Sequence, residues 1–352
     1  MKINRLVAAG AGVAMLAASI PAVTVAATLT VTSWGGSYSA SQRKAYHEPF
    51  MKETGHVVLE DEWGGDIAMI RAMVETGNYK THIIDAVPDV VIAGCDEGIL
   101  EPLDWSKLNM EMDDMLPGAA HECGVGTISW STLFAYRTDV YPDNAPGSWA
   151  DFYDVGKFSG KRGMYKNNPV FQLEFALIAD GVAASEVYDA LSADGGIDRA
   201  FDKMAELKPH AIWWETGAQA PQLLADKEVV MTTGWNGRFY NAVVDDGQPF
   251  ELVWNGQGMD YDFWIIPAGH PEADLAHEFL AFASTPERQG DQTNYIAYGP
   301  LRKGAENFTN PDILPHLPTA PANTKNWFQK DVTWWADHRE ELTQRFHAWL
   351  AK

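Results

Sequence analysis

Two short segments set opposite charges among aromatic rings: Gly234-Trp235-Asn236-Gly237-Arg238 and Tyr261-Asp262-Phe263-Trp264. A guanidinium fork matches a carboxylate, and a carboxylate flanked by aromatic faces suits an ammonium group. Lining one cleft, the two segments would hold a small zwitterion. Each residue also has a plainer reading. Arg238 fits a surface or interlobe salt bridge, and Asp262 fits a strand-end carboxylate capping local backbone. Trp34, just ahead of Gly35-Gly36, reads either as a ligand aromatic or as a lid over the core. Of Tyr261 and Trp264, alternation along a strand sends one of each neighbouring pair inward. Trp213 and Trp214 read as core residues, with one of the two able to reach a cleft.

No pattern for catalysis competes with this reading. The chain lacks Gly-x-Ser-x-Gly, His-Glu-x-x-His, a phosphate-cradling Gly-x-x-x-x-Gly-Lys-Ser/Thr loop and a Cys-x-x-Cys pair. His121-Glu122-Cys123 is contiguous, which is poor geometry for one tetrahedral metal. His270 and His277 fit a solvated helix face. The expectation is a binding protein, not an enzyme, with no cofactor and no metal.

The N-terminus reads as an export signal. Lys2 and Arg5 precede an apolar run, Leu6–Ala18, and small residues to Ala27. The run is too short to span a bilayer, and no Cys near the cleavage site offers a lipid anchor. Residues 1–27 are therefore assigned to a cleaved signal peptide, and the product is expected free in the periplasm without membrane insertion. Removing Lys2 and Arg5 takes the net charge from −22 to −24. So acidic a surface repels nucleic acid and anionic lipid. The two cysteines, Cys95 and Cys123, suit one disulfide in an exported chain. Closing a loop of 28 residues, it would stabilise the fold by roughly 3–4 kcal/mol in the chain-entropy view.

About 325 residues remain once the 27 are removed, enough for two lobes. Strand and helix patterns alternate: a strand from Leu29, a helix over 39–53 stopped by Gly55, a strand over 57–60, a helix over 67–75, then Pro88–Ala93 as a buried third strand. An open α/β sheet follows, with ligands expected beyond the carboxyl ends of its strands. Trp34 lies at one such end and Asp96 at another. A second α/β block starts near residue 130 and ends near 258. Strands are expected over 128–136, 162–165, 229–232 and 263–266. Helices are expected over 171–180, 197–207, 219–224, 271–283 and 332–350.

Several features together resemble periplasmic solute-binding proteins of ABC importers. They are the signal peptide, Thr32-Ser33-Trp34-Gly35-Gly36, the run Asp89-Val90-Val91-Ile92, and Gln219…Leu223-Leu224-Ala225-Asp226-Lys227-Glu228-Val229 followed by Trp235-Asn236-Gly237. Asp262…Ile266-Pro267 and the Trp334-Trp335 helix narrow the likeness to the polyamine-receptor branch, including γ-aminobutyrate-type receptors. The resemblance implies a two-lobed type II venus-flytrap fold with the ligand between lobes. Lobe 1 is taken as 28–129 with 259–352, and lobe 2 as 130–258, with a hinge near 129–132 and 255–260. It also implies delivery to a permease in the inner membrane, by a protein acting as a monomer.

That branch places ligand aromatics at Trp34 and Trp235, an amine-binding carboxylate at Asp262 and often a further aromatic at Tyr298. Two departures redirect the ligand. Arg238 stands where putrescine-type receptors carry an acid, and amides stand at Asn167 and Asn168. Asp96, near a mismatched hydroxyl/aromatic pair, either holds the amine or bonds its own loop. A diamine facing Arg238 at ~4 Å and an effective dielectric of ~20 meets about 4 kcal/mol of repulsion. The expected ligand is a γ-aminobutyrate-like ω-amino acid or a short betaine, with a polyamine as the alternative. The ligand-binding set is Trp34, Trp235, Arg238, Asp262, Tyr298 and Asp96.

Overall fold

The structure, a computed structural model, describes residues 26–352; the signal assigned to residues 1–27 lies, but for its last two residues, outside them. The chain opens with β1, Thr28–Ser33, and a helical run from Gly36 to Thr54 that widens to a π turn over Arg43–His47. Gly55, at φ 76°, ends that run in the left-handed conformation that a side chain would strain. β2 is Val57–Glu62 and β3 is Ile83–Ala86.

Pro88–Ala93, expected as a strand, lies in a helix, Pro88–Asp96. Pro88 occupies the helix's first turn, where its fixed φ fits and its missing N–H is not needed. Val87 is extended, as a residue before proline prefers, and Asp89 complements the positive helix end. Apolar continuity there marks burial, which a short run cannot convert into a choice of element. The third strand lies a few residues earlier, and it contains Asp85.

The remaining strands are β4, Ala120–His121; β5, Gly124–Arg137; β6, Arg162–Tyr165; β7, Ala211–Trp214; β8, Met231–Trp235; β9, Phe250–Ile265; β10, Gly299–Pro300; and β11, Trp327–Gln329. They form one 11-stranded sheet whose main order is β2-β1-β3-β9-β5-β8-β6-β7, with β4 and β10 on β5 and β11 on β9. β1 runs parallel to β2 and β3 in one half, and β6 parallel to β7 and β8 in the other. β5 and β9 pair antiparallel through both halves, from Val125 opposite Trp264 to Arg137 opposite Phe250. Their register shifts between Gly126 and Ser129 and between Thr132 and Phe134, irregularities that bend paired strands. The architecture is α/β and two-lobed.

Phe50, Trp264 and Phe279 meet in a core of the first half; a larger core joins Ile70, Ile84 and Val90 of the first half to Phe134, Trp149, Phe152 and Phe175 of the second, where Trp149 stacks on Phe175 at 3.7 Å. The last helix, Val332–Leu350, packs against both halves: on the helix Pro88–Asp96 of the first, where Arg339 reaches Asp89, and on the second. Trp335 Nε1 donates to Glu174 at 2.7 Å, and Lys208 Nζ to the Trp349 carbonyl at 2.6 Å. Trp213 sets its ring edge against Trp349 at 5.9 Å. A disulfide joins Cys95 and Cys123, with Cα atoms 5.9 Å apart. Among the described residues no helix is long and apolar enough to cross a membrane.

Candidate functional site

Where the two halves of the sheet face each other, they enclose a cavity of about 80 Å³. At roughly 10–15 Å³ per water-sized occupant, that suits a ligand of a handful of non-hydrogen atoms. Trp34, Trp235, Arg238, Asp262 and Tyr298 all line it. Asp96 does not: it is exposed at the end of the Pro88–Asp96 helix. Its exclusion follows from the strand-to-helix correction, because the real carboxyl end of β3 is Ala86 and the cavity wall there is Val87. Trp214 lines the cavity, whereas Trp264 is buried in the first core and Tyr261 stays outside the wall.

Arg238 sits in the first turn of the helix Asn236–Val244 and is 4% exposed. Its two terminal nitrogens donate to the main-chain carbonyls of Gly35, at 3.1 Å, and Trp34, at 3.0 Å, across the cleft. Its Nε finds no acceptor, and among the described residues no carboxylate pairs with it. The guanidinium also lies over the Trp235 ring, 5.2 Å from its centroid. Gly36 permits this approach: at φ 57°, a Cβ there would stand 2.6 Å from an Arg238 terminal nitrogen. Asn236 anchors the helix start by accepting from Ser131 N at 2.9 Å and donating to the Ala297 carbonyl at 2.7 Å.

At the opposite charge, β9 presents Asp260 and Asp262 two residues apart on one face. Asp262 accepts from Trp130 Nε1 at 2.8 Å and lies in hydrogen-bond contact with Asp85 on β3. Asp85 is wholly buried and accepts from Trp34 Nε1 at 3.0 Å, the Tyr38 hydroxyl at 2.8 Å and Gln42 Nε2 at 2.6 Å. Every one of these donors is neutral. Burial, and then the Asp85 charge, push the Asp262 carboxyl well above its ordinary range. Burial raises Asp85 to about 6.

Asp260 belongs to a different arrangement. Lys330 Nζ lies between Asp260 and Asp89, and Arg339 reaches the other oxygen of Asp89. Burial opposes the Lys330 charge, but Asp260 and Asp89 hold its pKa above the ordinary range. Arg339 and Lys330 in turn hold Asp89 far below the usual carboxylate range against the cost of burial.

The aromatic wall is continuous. Trp130 meets Phe171 at 5.7 Å and Trp235 at 6.2 Å, edge to face, and Tyr298 meets Tyr38 at 5.5 Å. Phe171 holds φ 66°, an unusual conformation for an aromatic residue that costs of order 1–3 kcal/mol and clusters at ligand clamps. Asn168 lines the wall where polyamine receptors carry acid, whereas Asn167 donates to Tyr165 and to the Glu215 carbonyl. Residue reading missed Asp85, Tyr38, Trp130, Asp260, Lys330 and Arg339. Two had a readable signal: Asp85 is a lone acid in an apolar run, and Asp260 stands two residues from Asp262 in a strand. A third potential cluster, Cys95, His121 and Cys123, has both sulfurs in the disulfide.

Residues 45–324 match the family of bacterial extracellular solute-binding proteins. Over 325 residues the chain is 41% identical to the gamma-aminobutyric acid-binding protein of Pseudomonas aeruginosa, an alignment covering 92% of this chain and 91% of that one. Among solved structures it is similar to the PBP MotA of A. tumefaciens B6 in complex with glucopine, with a TM-score of 0.86, 32% identity and coverage of 92% and 99%. It is also similar to the Atu4243 GABA receptor, with a TM-score of 0.81, 34% identity and coverage of 92% and 98%.

Proposed function

The chain belongs to the bacterial extracellular solute-binding protein family, and on that premise we propose that it captures a γ-aminobutyrate-like ω-amino acid for an ABC importer. The observation that carries this reading is a pair of unmatched charges in one cavity. Among the described residues, Arg238 is a buried cation with no carboxylate paired to it, and Asp85 with Asp262 is a buried acidic pair with no cation paired to it. A ligand carboxylate at the first and a ligand ammonium at the second would complete both. Trp34, Trp235 and Tyr298 shape the passage between them.

An ammonium with N–H donors suits the acidic pair better than a quaternary betaine, which can donate to neither carboxylate. A diamine would place its second cation against Arg238. The likeness to a gamma-aminobutyric acid-binding protein and to a GABA receptor supports the same ligand class. The protein works as a monomer in the periplasm and hands its ligand to a membrane permease. One lobe comprises 28–129 with the stretch following 259, and the other 130–258. The helix Val332–Leu350 meets both lobes, Asp89 of the helix Pro88–Asp96 through Arg339 and Glu174, Lys208 and Trp213 on the other side, so it ties the lobes together at the end of the return expected for 259–352. Closure about the middle of β5 and β9 desolvates the ion pairs and strengthens them.

Thermal shift with γ-aminobutyrate, glycine betaine and putrescine tests the assignment. The expected order of stabilisation is γ-aminobutyrate first, with putrescine inactive. Strong stabilisation by putrescine, with neither zwitterion active, would return the chain to the polyamine receptors.

A further inference from the structure

We propose that Asp85 and Asp262 hold one proton between them in the ligand-free protein, and that docking of the ligand's ammonium group expels it to solvent. Asp85 is then a positioning residue that sets the charge state of Asp262. The inference rests on the ammonium site proposed above and adds a stoichiometry to it.

The geometry carries the argument. Both carboxyls are buried and touch each other. Asp85 already accepts from Trp34, Tyr38 and Gln42, which fits the ionised partner of the pair. Asp262 has one outside donor, Trp130, and so is the better seat for the shared proton. Two like charges in contact cannot both persist without a counterion. The surrounding charges do not supply one. On β9, Asp260 adds negative charge, and Lys330 is engaged with Asp260 and Asp89. Tyr38, on the helix Gly36–Gln42, and Tyr298, immediately before β10, are phenols raised by burial and remain neutral. Arg238, on the helix Asn236–Val244, is directed at the Trp34 and Gly35 carbonyls. Proton and ammonium therefore compete for one dicarboxylate. The step balances: Asp262 loses H⁺ to water, and the ammonium charge replaces it.

Calorimetric titration of the mature protein with γ-aminobutyrate, in phosphate, MES and imidazole buffers at about pH 6, measures the proton count from the slope of observed heat against buffer ionisation heat. The ligand's own groups do not titrate there. The expected result is close to one proton released per ligand, with affinity rising about tenfold per pH unit in the acidic range. Zero slope in wild-type protein that still binds overturns the inference alone. Absence of binding overturns the ligand assignment instead. Asp85→Asn should reduce the release and move the pH profile toward acid, because Asp262 then ionises without a charged group in contact, opposed only by burial and by Asp260. Release and a pH profile that stay unchanged in this variant would place the proton on another group, such as Asp260, and end the proposal. The wild-type buffer series decides the question even if the variant does not fold.

Discussion

Two pairs of aspartates lie buried at the same cavity, each with one member in its wall, and meet opposite fates. Asp89 and Asp260 enclose Lys330, with Arg339 alongside, so two carboxylates face two cations from the chain itself. Asp85 and Asp262 touch each other and receive only neutral indole, phenol and amide donors. Unit charges ~4 Å apart at an effective dielectric of ~20 would repel by about 4 kcal/mol, so the second pair does not stay doubly ionised in the empty fold. Depth and residue type are the same in both. What separates structure from recognition is whether the chain provides the counterion.

Lys330→Met tests the self-sufficient pair and should have the largest effect. It leaves two buried carboxylates facing each other, a loss of about 3–5 kcal/mol. Scanning calorimetry should show an apparent melting temperature lower by roughly 5 °C. A fall of only a degree or two would erase the distinction between the pairs. Arg238→Ala moves to the other side of the comparison. Removing one partner of a buried ligand ion pair costs about 2–5 kcal/mol, or upward of ~30-fold in γ-aminobutyrate affinity. Unchanged affinity by titration calorimetry would take Arg238 out of the site.

Asp262→Asn separates the two roles within one variant. Ligand affinity should drop by at least ~30-fold, while the melting temperature of the unliganded protein holds, since the amide replaces a carboxyl that carries the shared proton and no charge in the empty site. A variant that loses stability and affinity together would class Asp262 with the structural pair. Glu174→Gln sharpens the contrast from a third buried acid. Burial pushes Glu174 up to about 7 against donors Trp335 and Tyr188. Its folded value exceeds its unfolded one, so its stabilisation is whole below pH of about 4.5 and is lost as pH rises through about 7. The amide should therefore raise the melting temperature by a few degrees at alkaline pH and leave it unchanged in acid, as read by fluorescence melts.

Much of this was legible beforehand, for identifiable reasons. Arg162–Tyr165 and Val332–Leu350 match their expected bounds, the strand because Gly160 and Asn167-Asn168-Pro169 punctuate it and the helix because a long run without Gly or Pro is a local signal. Trp34, Trp235, Arg238, Asp262 and Tyr298 come together at one cavity, as charges set among aromatics suggested. The error at Pro88–Asp96 arose because a buried helix and a buried strand share an apolar run, and the start signal of Pro88 with Asp89 was outweighed. Asp96 was misplaced with it. Lys330 and Arg339 escaped notice because their partner Asp89 lies more than two hundred residues away in sequence, beyond any spacing rule.

β11, β9 and β5 lie side by side where the two halves of the sheet meet, with Gln257–Met259 of β9 paired on one flank to Trp327–Gln329 and on the other to Ser131 and Thr132. Mechanically this is a strip about 10 Å wide, since neighbouring strands stand roughly 4.8 Å apart. A strip of that kind flexes like a leaf spring: soft to bending out of its plane, stiff to in-plane shear, and resistant to torsion in proportion to its width. The lobes therefore have one easy degree of freedom. A ligand that draws Arg238 and Asp262 together pulls along that axis, and its binding energy goes into a single trajectory.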